Sequence, residues 1–165
     1  MDEAPSKREP IDLAFVIDAS ASLLPSGFAN ELSFVAQIID KLGPVGTDYD
    51  SSLRAGVVIY GNTASIRVRF DDYLEHDALK KAIESLPFDN AAETRIDRGF
   101  EEAIKLFQQQ NGARPATRKV GIFCSLFIDK FVSNADRRKQ KKFHSDGRGK
   151  RTKASLYLIR TEQIL

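Results

Sequence analysis

The chain has 165 residues and a formal net charge of +2, and apolar residues make up 42% of it. This length supports a single domain with its own core, and the small net charge gives no general basis for binding nucleic acid. Residues 1–10 are polar and indicate a flexible lead-in with no visible signal peptide, and no apolar run has the roughly 20 residues that a membrane span needs.

Apolar runs and amphipathic stretches alternate along the first half of the chain. Residues Ile11–Ile17 are almost continuously apolar, which predicts a strand covered on both faces. The next stretch predicts a helix that ends at Gly43; its apolar stripe consists of Phe28, Leu32, Val35, Ile38, Ile39 and Leu42. Leu53–Tyr60 predicts a second buried strand. Ala64–Phe70 alternates between apolar and polar residues, which predicts an antiparallel edge strand joined to its predecessor by a hairpin.

The second half continues the alternation. Asp77–Leu86 and Ile96–Phe107 predict two amphipathic helices. The side chains of the second helix that we expect to face inward are Ile96, Phe100, Ala103, Ile104 and Phe107. Val120–Ile128 predicts a central strand, in which we expect Cys124, the only cysteine, to be a small buried residue. Strands that alternate with helices imply an α/β three-layer sandwich with a mostly parallel sheet.

The composition changes at Arg137. Residues 137–153 contain nine Lys or Arg and one acid, which predicts a basic, disordered tail over residues 137–165. A nuclear signal or a nucleic-acid patch is the alternative, but Phe143 is the only aromatic residue among these basic ones and we expect no nucleic-acid partner. The short apolar stretch Ala154–Ile159 is compatible with a strand or with no regular structure.

Asp18, Ser20 and Ser22 follow the first predicted strand with one residue between each pair. Ligands of such sheets bind outside the carboxyl ends of the strands, and hard cations such as Mg²⁺ take oxygen ligands. A carboxylate beside two neutral hydroxyls would leave the cation positive and able to attract a further carboxylate. The alternative is an ordinary turn in which Ser22 or Ser26 caps the helix. No base adjoins the serines and no GxGxxG or P-loop is present, so we expect a binding module and not an enzyme.

Three stretches in the same order resemble the von Willebrand factor type A family, in particular the matrilin-like and collagen-associated domains of the extracellular matrix. They are Asp12–Ser22, Arg54–Tyr60 and Glu93–Ala103. The resemblance implies a Rossmann-like, doubly wound domain over residues 11–136. It also implies a metal-ion-dependent adhesion site for Mg²⁺ or Mn²⁺, with Asp18, Ser20, Ser22 and Thr94 as ligands. Asp97 also matches the family pattern, but we interpret it as the first-turn acid of a helix.

By the same resemblance, the function is binding of a protein partner that offers an acidic residue to the cation. Collagen or another matrix protein is the expected partner, and the expected location is extracellular. Two alternatives stay open: a domain remnant with an impaired metal site, and an intracellular A domain that scaffolds a complex.

The third metal loop departs from the family. Members place Thr-Asp-Gly after the strand that begins here at Val120, and the spacing puts Leu126 where the Asp is expected. Asp129 is the only acid nearby; either the strand is longer and Asp129 serves as a ligand, or the loop is defective. Family members continue with two more strands and two more helices, whereas 29 residues follow Asp136. We therefore expect a sheet that is incomplete at its C-terminal side.

Overall fold

The computed structural model of the protein describes residues 9–46 and 52–124, together with the backbone of residues 157–160. These residues form five strands and three α helices. The strands are β1 Ile11–Asp18, β2 Leu53–Tyr60, β3 Ala64–Val68, β4 Arg118–Cys124 and β5 Tyr157–Arg160. The helices are α1 Leu24–Leu42, α2 His76–Glu84 and α3 Ile96–Leu106, and short 3-10 turns span Ala21–Leu23 and Gln109–Asn111. Within this described part of the chain, no helix is long and apolar enough to cross a membrane.

The strands form one sheet in the order β3-β2-β1-β4-β5. β1 is central and pairs in parallel with β2 on one side and with β4 on the other. β3 pairs antiparallel with β2, and β5 pairs antiparallel with β4. Because the chain leaves β1 toward β2 and later returns to β4 on the opposite side, the carboxyl end of β1 lies at the point where the winding direction changes. Ligands of doubly wound sheets bind at that point.

Helices cover both faces of the sheet. Leu13, Phe15 and Ile17 of β1 pack in one core cluster with α1 and α2. Ala14 and Val16, whose side chains alternate with those three, pack in a second cluster with α3. This arrangement confirms the predicted α/β three-layer architecture and explains why β1 is apolar at nearly every position.

The structure confirms part of the predicted inward face of α3 and corrects the rest: Ala103 is buried, and Ile96 and Phe107 pack against the same core cluster. Phe100 and Ile104 are 37% and 48% exposed, whereas Gly99, Ala103 and Leu106 are buried. A Cβ added at Gly99 would lie 3.0 Å from the ring of Tyr60 and 3.1 Å from Val16. The helix therefore approaches the sheet most closely at Gly99, while Leu106 packs in the core. Ile104 lies toward solvent, and the half-exposed ring of Phe100 stacks on Phe123 at 4.1 Å.

Two further predictions concern the end of the chain. Tyr157–Arg160 lies inside the predicted basic tail, but its backbone forms β5. Residues 157–159 of the short apolar stretch are therefore part of a strand. The predicted strand Val120–Ile128 is observed as far as Cys124, which is buried as expected. Residues 125–128 lie outside the described residues.

Candidate metal-binding site

The loop after β1 is organised by its own hydrogen bonds. Asp18, the last residue of β1, is completely buried, and its Oδ1 accepts a 2.8 Å hydrogen bond from the backbone N–H of Ser20. The hydroxyl oxygens of Ser20 and Ser22 lie 2.9 Å apart. Ser20 is buried and Ser22 is exposed, so the pair of hydroxyls links the interior of the loop to its surface.

The structure does not support the capping alternative for these serines. Neither the 3-10 turn at Ala21–Leu23 nor α1 has a side-chain hydrogen bond at its N-cap. The residue at the N-cap of α1 is Leu23, and α1 begins at Leu24. The hydroxyls of Ser20 and Ser22 contact each other instead of a helix end, which leaves them available as neutral ligands on one side of the loop.

A second loop, residues 89–95, lies directly beside the first. Ser20 and Ala91 form a parallel β-bridge; the N–H of Ala21 donates to the Ala91 oxygen at 2.7 Å, and the N–H of Ala91 donates to the Ala19 oxygen at 3.0 Å. The turn after β2 holds the other side of this loop, because the Asn62 side chain accepts from the N–H of Glu93 at 2.8 Å. These contacts place Ala91, three residues before the half-buried Thr94, beside the loop of Ser20 and Ser22.

Asp97 is engaged elsewhere. It lies in the first turn of α3 and forms an exposed ion pair with Arg95, with hydrogen bonds of 2.6 and 3.0 Å. The hydrogen bond from Arg95 lowers the pKa of Asp97 to about 2. This geometry agrees with the interpretation of Asp97 as a first-turn acid.

Sequence reasoning missed Glu31. This residue of α1 is only 2% exposed, and neither carboxyl oxygen has a hydrogen-bond partner among the residues that the structure describes. Burial raises the pKa of Glu31 to about 9, and the negative charge of Asp18 adds to the rise. The sequence contained a signal for it, because an acid three residues after Phe28 and four before Val35 falls inside the apolar stripe of the helix.

The third metal loop lies outside the described residues, and so do Leu126 and Asp129. The last residue described before it is Cys124, which pairs with Ile17 in the sheet and so lies beside the end of β1. Burial, and next the charge of Glu31, raises the pKa of the Cys124 thiol.

The donor atoms of the first loop suit a hard cation. The hydroxyls of Ser20 and Ser22 form a 2.9 Å hydrogen bond with each other, and hydroxyl oxygens this close together can also contact one hard cation such as Mg²⁺. The described residues contain no group of three or more His, Cys, Asp or Glu that could hold a metal. A cation here would therefore be held mainly by hydroxyls, with few carboxylates.

Residues 12–136 match the family model of the von Willebrand factor type A domain. Matrilin-3 of Mus musculus is 36% identical over 119 residues, which cover 70% of this chain and 24% of that protein. Matrilin-3 of Homo sapiens is 38% identical over 79 residues, which cover 47% of this chain and 15% of that protein.

A solved structure shows the same fold. Proximal thread matrix protein 1 from the mussel byssus, described with a zinc-occupied MIDAS motif, superposes with a TM-score of 0.65 at 20% identity, covering 72% of this chain and 31% of the other. The chain spans about a quarter of the length of Mus musculus matrilin-3. The family model covers most of the chain, and its matched residues include both loops of the candidate site; the chain belongs to the von Willebrand factor type A domain family.

Proposed function

We propose that this chain is a metal-ion-dependent protein-binding module of the extracellular matrix. In this proposal Asp18, Ser20, Ser22 and Thr94 hold Mg²⁺ or Mn²⁺, and the cation binds an acidic residue of a protein partner. The observation that carries it is the pair of serine hydroxyls 2.9 Å apart beside the loop of Thr94. The similarity to matrilin-3 and to a byssal matrix protein supports the matrix setting and an extracellular location.

Each residue would have a distinct role. Asp18 is held by the backbone of Ser20 and would supply negative charge, directly or through water. Ser20, Ser22 and Thr94 would supply neutral oxygens, so the cation would keep part of its positive charge. When bound, the cation would supply a positive centre that attracts a partner carboxylate. Asp129 stays a proposed further ligand, and binding, not catalysis, is the proposed activity.

Collagen is the first partner to test, with other matrix proteins next. We expect the protein to bind a collagen-coated surface in Mg²⁺, and we expect EDTA to abolish that binding. Ser22→Ala should lose binding because it removes one hydroxyl ligand. Ser26→Ala is the matched control, since Ser26 is an exposed serine of α1 outside the site and its loss should have no effect.

The readout is surface plasmon resonance in Mg²⁺ and in EDTA on all three proteins. Equal binding with and without EDTA would show that the partner is recognised without metal. Equal binding by wild type and Ser22→Ala would show that the serine loop is not part of the binding interface. If the protein does not bind collagen but binds another matrix protein in an EDTA-sensitive way, the proposed partner is wrong and the proposed metal dependence is supported.

A further inference from the structure

The loop that carries Thr94 has little regular structure of its own. Residues 86–95 lie between α2 and α3, and within them only Ala91 takes part in strand pairing, through its bridge to Ser20. Because no helix or sheet ladder fixes the rest of this loop, the position of Thr94 depends on individual contacts with neighbouring segments.

Two such contacts lie on either side of Thr94, and both come from the same turn. The N–H of Glu93 donates to Asn62 Oδ1 at 2.8 Å, and the N–H of Arg95 donates to the Gly61 oxygen at 2.9 Å. The residue before Thr94 and the residue after it are therefore both attached to the turn that joins β2 to β3.

This turn lies at the same edge of the sheet as the serine loop, residues 18–22. Tyr60, the last residue of β2, pairs with Asp18, and its backbone oxygen accepts a 2.8 Å hydrogen bond from the N–H of Ala19. An asparagine in a turn commonly bonds to the backbone of its own turn. The side chain of Asn62 instead bonds to a residue 31 positions further along the chain, so it connects this turn with the Thr94 loop.

We propose that Asn62 is a positioning residue of the cation site, an inference that rests on the proposed function. Asn62 is not a cation ligand in this proposal; its Oδ1 holds the backbone of Glu93, and this contact keeps the Thr94 hydroxyl within reach of a cation at the serine loop. Removal of that oxygen lowers the fraction of molecules in which Thr94 is in place, and the apparent cation affinity falls with that fraction.

Cation affinity is measured by titration calorimetry with MgCl₂ and MnCl₂. We expect Asn62→Ala to weaken binding about 10-fold, as loss of a group that supports a metal ligand does. Asn62→Asp keeps an acceptor oxygen and should recover most of the affinity. Thr63→Ala is the matched control and should bind as wild type does, because Thr63 is exposed in the same turn and contributes its backbone oxygen to it, which the variant retains.

A double variant tests whether Asn62 acts through Thr94. Thr94→Val removes the hydroxyl, keeps the shape of the side chain and should weaken cation binding. Adding Asn62→Ala should then cause no further loss, because the ligand that Asn62 positions is already gone. Amide exchange followed by NMR in EDTA reports on the loop without a cation. The Glu93 amide proton should exchange faster in Asn62→Ala than in wild type or Thr63→Ala.

Three results would overturn the inference. Unchanged affinity in Asn62→Ala, while Ser22→Ala and Thr94→Val lose affinity, would show that the proposed site exists and does not need Asn62. Additive losses in the double variant would show that Asn62 acts independently of Thr94. Equal exchange of the Glu93 amide in wild type and Asn62→Ala would show that this hydrogen bond does not hold the loop. If wild type binds no cation, or if Ser22→Ala and Thr94→Val bind as wild type does, the proposed site itself is wrong and the inference falls with it.

Discussion

At the residue scale, the backbone at Leu24 is unusual. Its φ of 60° and ψ of 161° lie in a region that is essentially restricted to glycine. The side chain is 62% exposed, so it contributes little packing in return. Such a conformation costs about 1 to 3 kcal/mol, and it occurs where the 3-10 turn of the serine loop passes into α1.

Leu24→Gly should therefore stabilise the protein. Glycine relieves the strain but gains more freedom in the unfolded chain, at a cost of about 0.5 to 1 kcal/mol, so we expect a net gain of about 1 kcal/mol in the free energy of unfolding. Leu24→Ala is the control, because it removes the side chain and keeps the strained Cβ. Urea denaturation gives the free energy of unfolding of wild type and of both variants. Equal stability of the glycine and alanine variants would mean that the backbone at Leu24 is not strained.

At the scale of elements, the two loops of the site depend on one glycine. Gly61 follows β2, and a Cβ added to it would lie well inside contact distance of the Ala91 Cβ. The Gly61 oxygen also accepts a 2.9 Å hydrogen bond from the N–H of Arg95. The position of the Thr94 loop therefore depends on the absence of a side chain at residue 61.

Gly61→Ala should push the Thr94 loop away from the serine loop. We expect a loss of about 1 to 3 kcal/mol in stability and weaker binding of Mg²⁺. Ala91→Gly removes the opposing methyl group, so the double variant should recover most of both losses. The measurements are urea denaturation and titration calorimetry. A Gly61→Ala protein with unchanged Mg²⁺ affinity would show that the Thr94 loop makes no contribution to the cation.

The strands were more predictable than the face of a helix. Buried strands such as β1 and β2 are almost continuously apolar, and that pattern alone locates them. α3 has two overlapping faces, one that includes Phe100 and one that includes Gly99. From the sequence alone, the large apolar side chain of Phe100 favours its face as the buried one. The correct face depends on how closely the helix approaches Tyr60, which is a tertiary contact. The sequence alone does not predict β5, because its pairing with β4 is also a contact between distant residues.

The candidate site was predictable only in part. The spacing of Asp18, Ser20 and Ser22 placed donor oxygens at the end of a strand from local sequence. Nothing local joins Ser20 to Ala91, and only the family resemblance placed the loop of Thr94 there. Glu31 could have been recognised as an acid in an apolar stripe, but the effect of the Asp18 charge on its pKa depends on how α1 packs on the sheet.

At the scale of the whole molecule, a buried ion pair connects distant parts of the chain. Arg114 and Asp12 are both buried and lie 2.7 Å apart between Nη2 and Oδ1. The N–H of Arg114 also donates to Asp12 at 2.7 Å, and its guanidinium donates to the Ser52 oxygen at 3.1 Å. The starts of β1 and β2 are thereby tied to the segment before β4. Asp12 and Asp18 lie at opposite ends of β1, about 20 Å apart along an extended strand.

Arg114→Met should lower the free energy of unfolding by about 3 to 5 kcal/mol, because it leaves Asp12 buried without a countercharge. Adding Asp12→Leu should restore much of the loss, since the double variant buries no charge. Both proteins should keep the Mg²⁺ affinity of wild type under conditions where they are folded. Urea denaturation provides the test, and a double variant as unstable as Arg114→Met would show that the pair itself stabilises the fold.

The central position of β1 has a consequence for synthesis on the ribosome. β1 is made first, but Ile11 pairs with Leu53 on one side and with Arg118 on the other. At about 5 to 20 residues per second, roughly 5 to 20 s pass between the synthesis of Ile11 and that of Arg118. A hairpin such as β2–β3 forms within microseconds. During those seconds one edge of a largely apolar strand has no partner, and such edges pair with other chains. We therefore expect the emerging polypeptide, more than the finished domain, to be the state that is prone to aggregation.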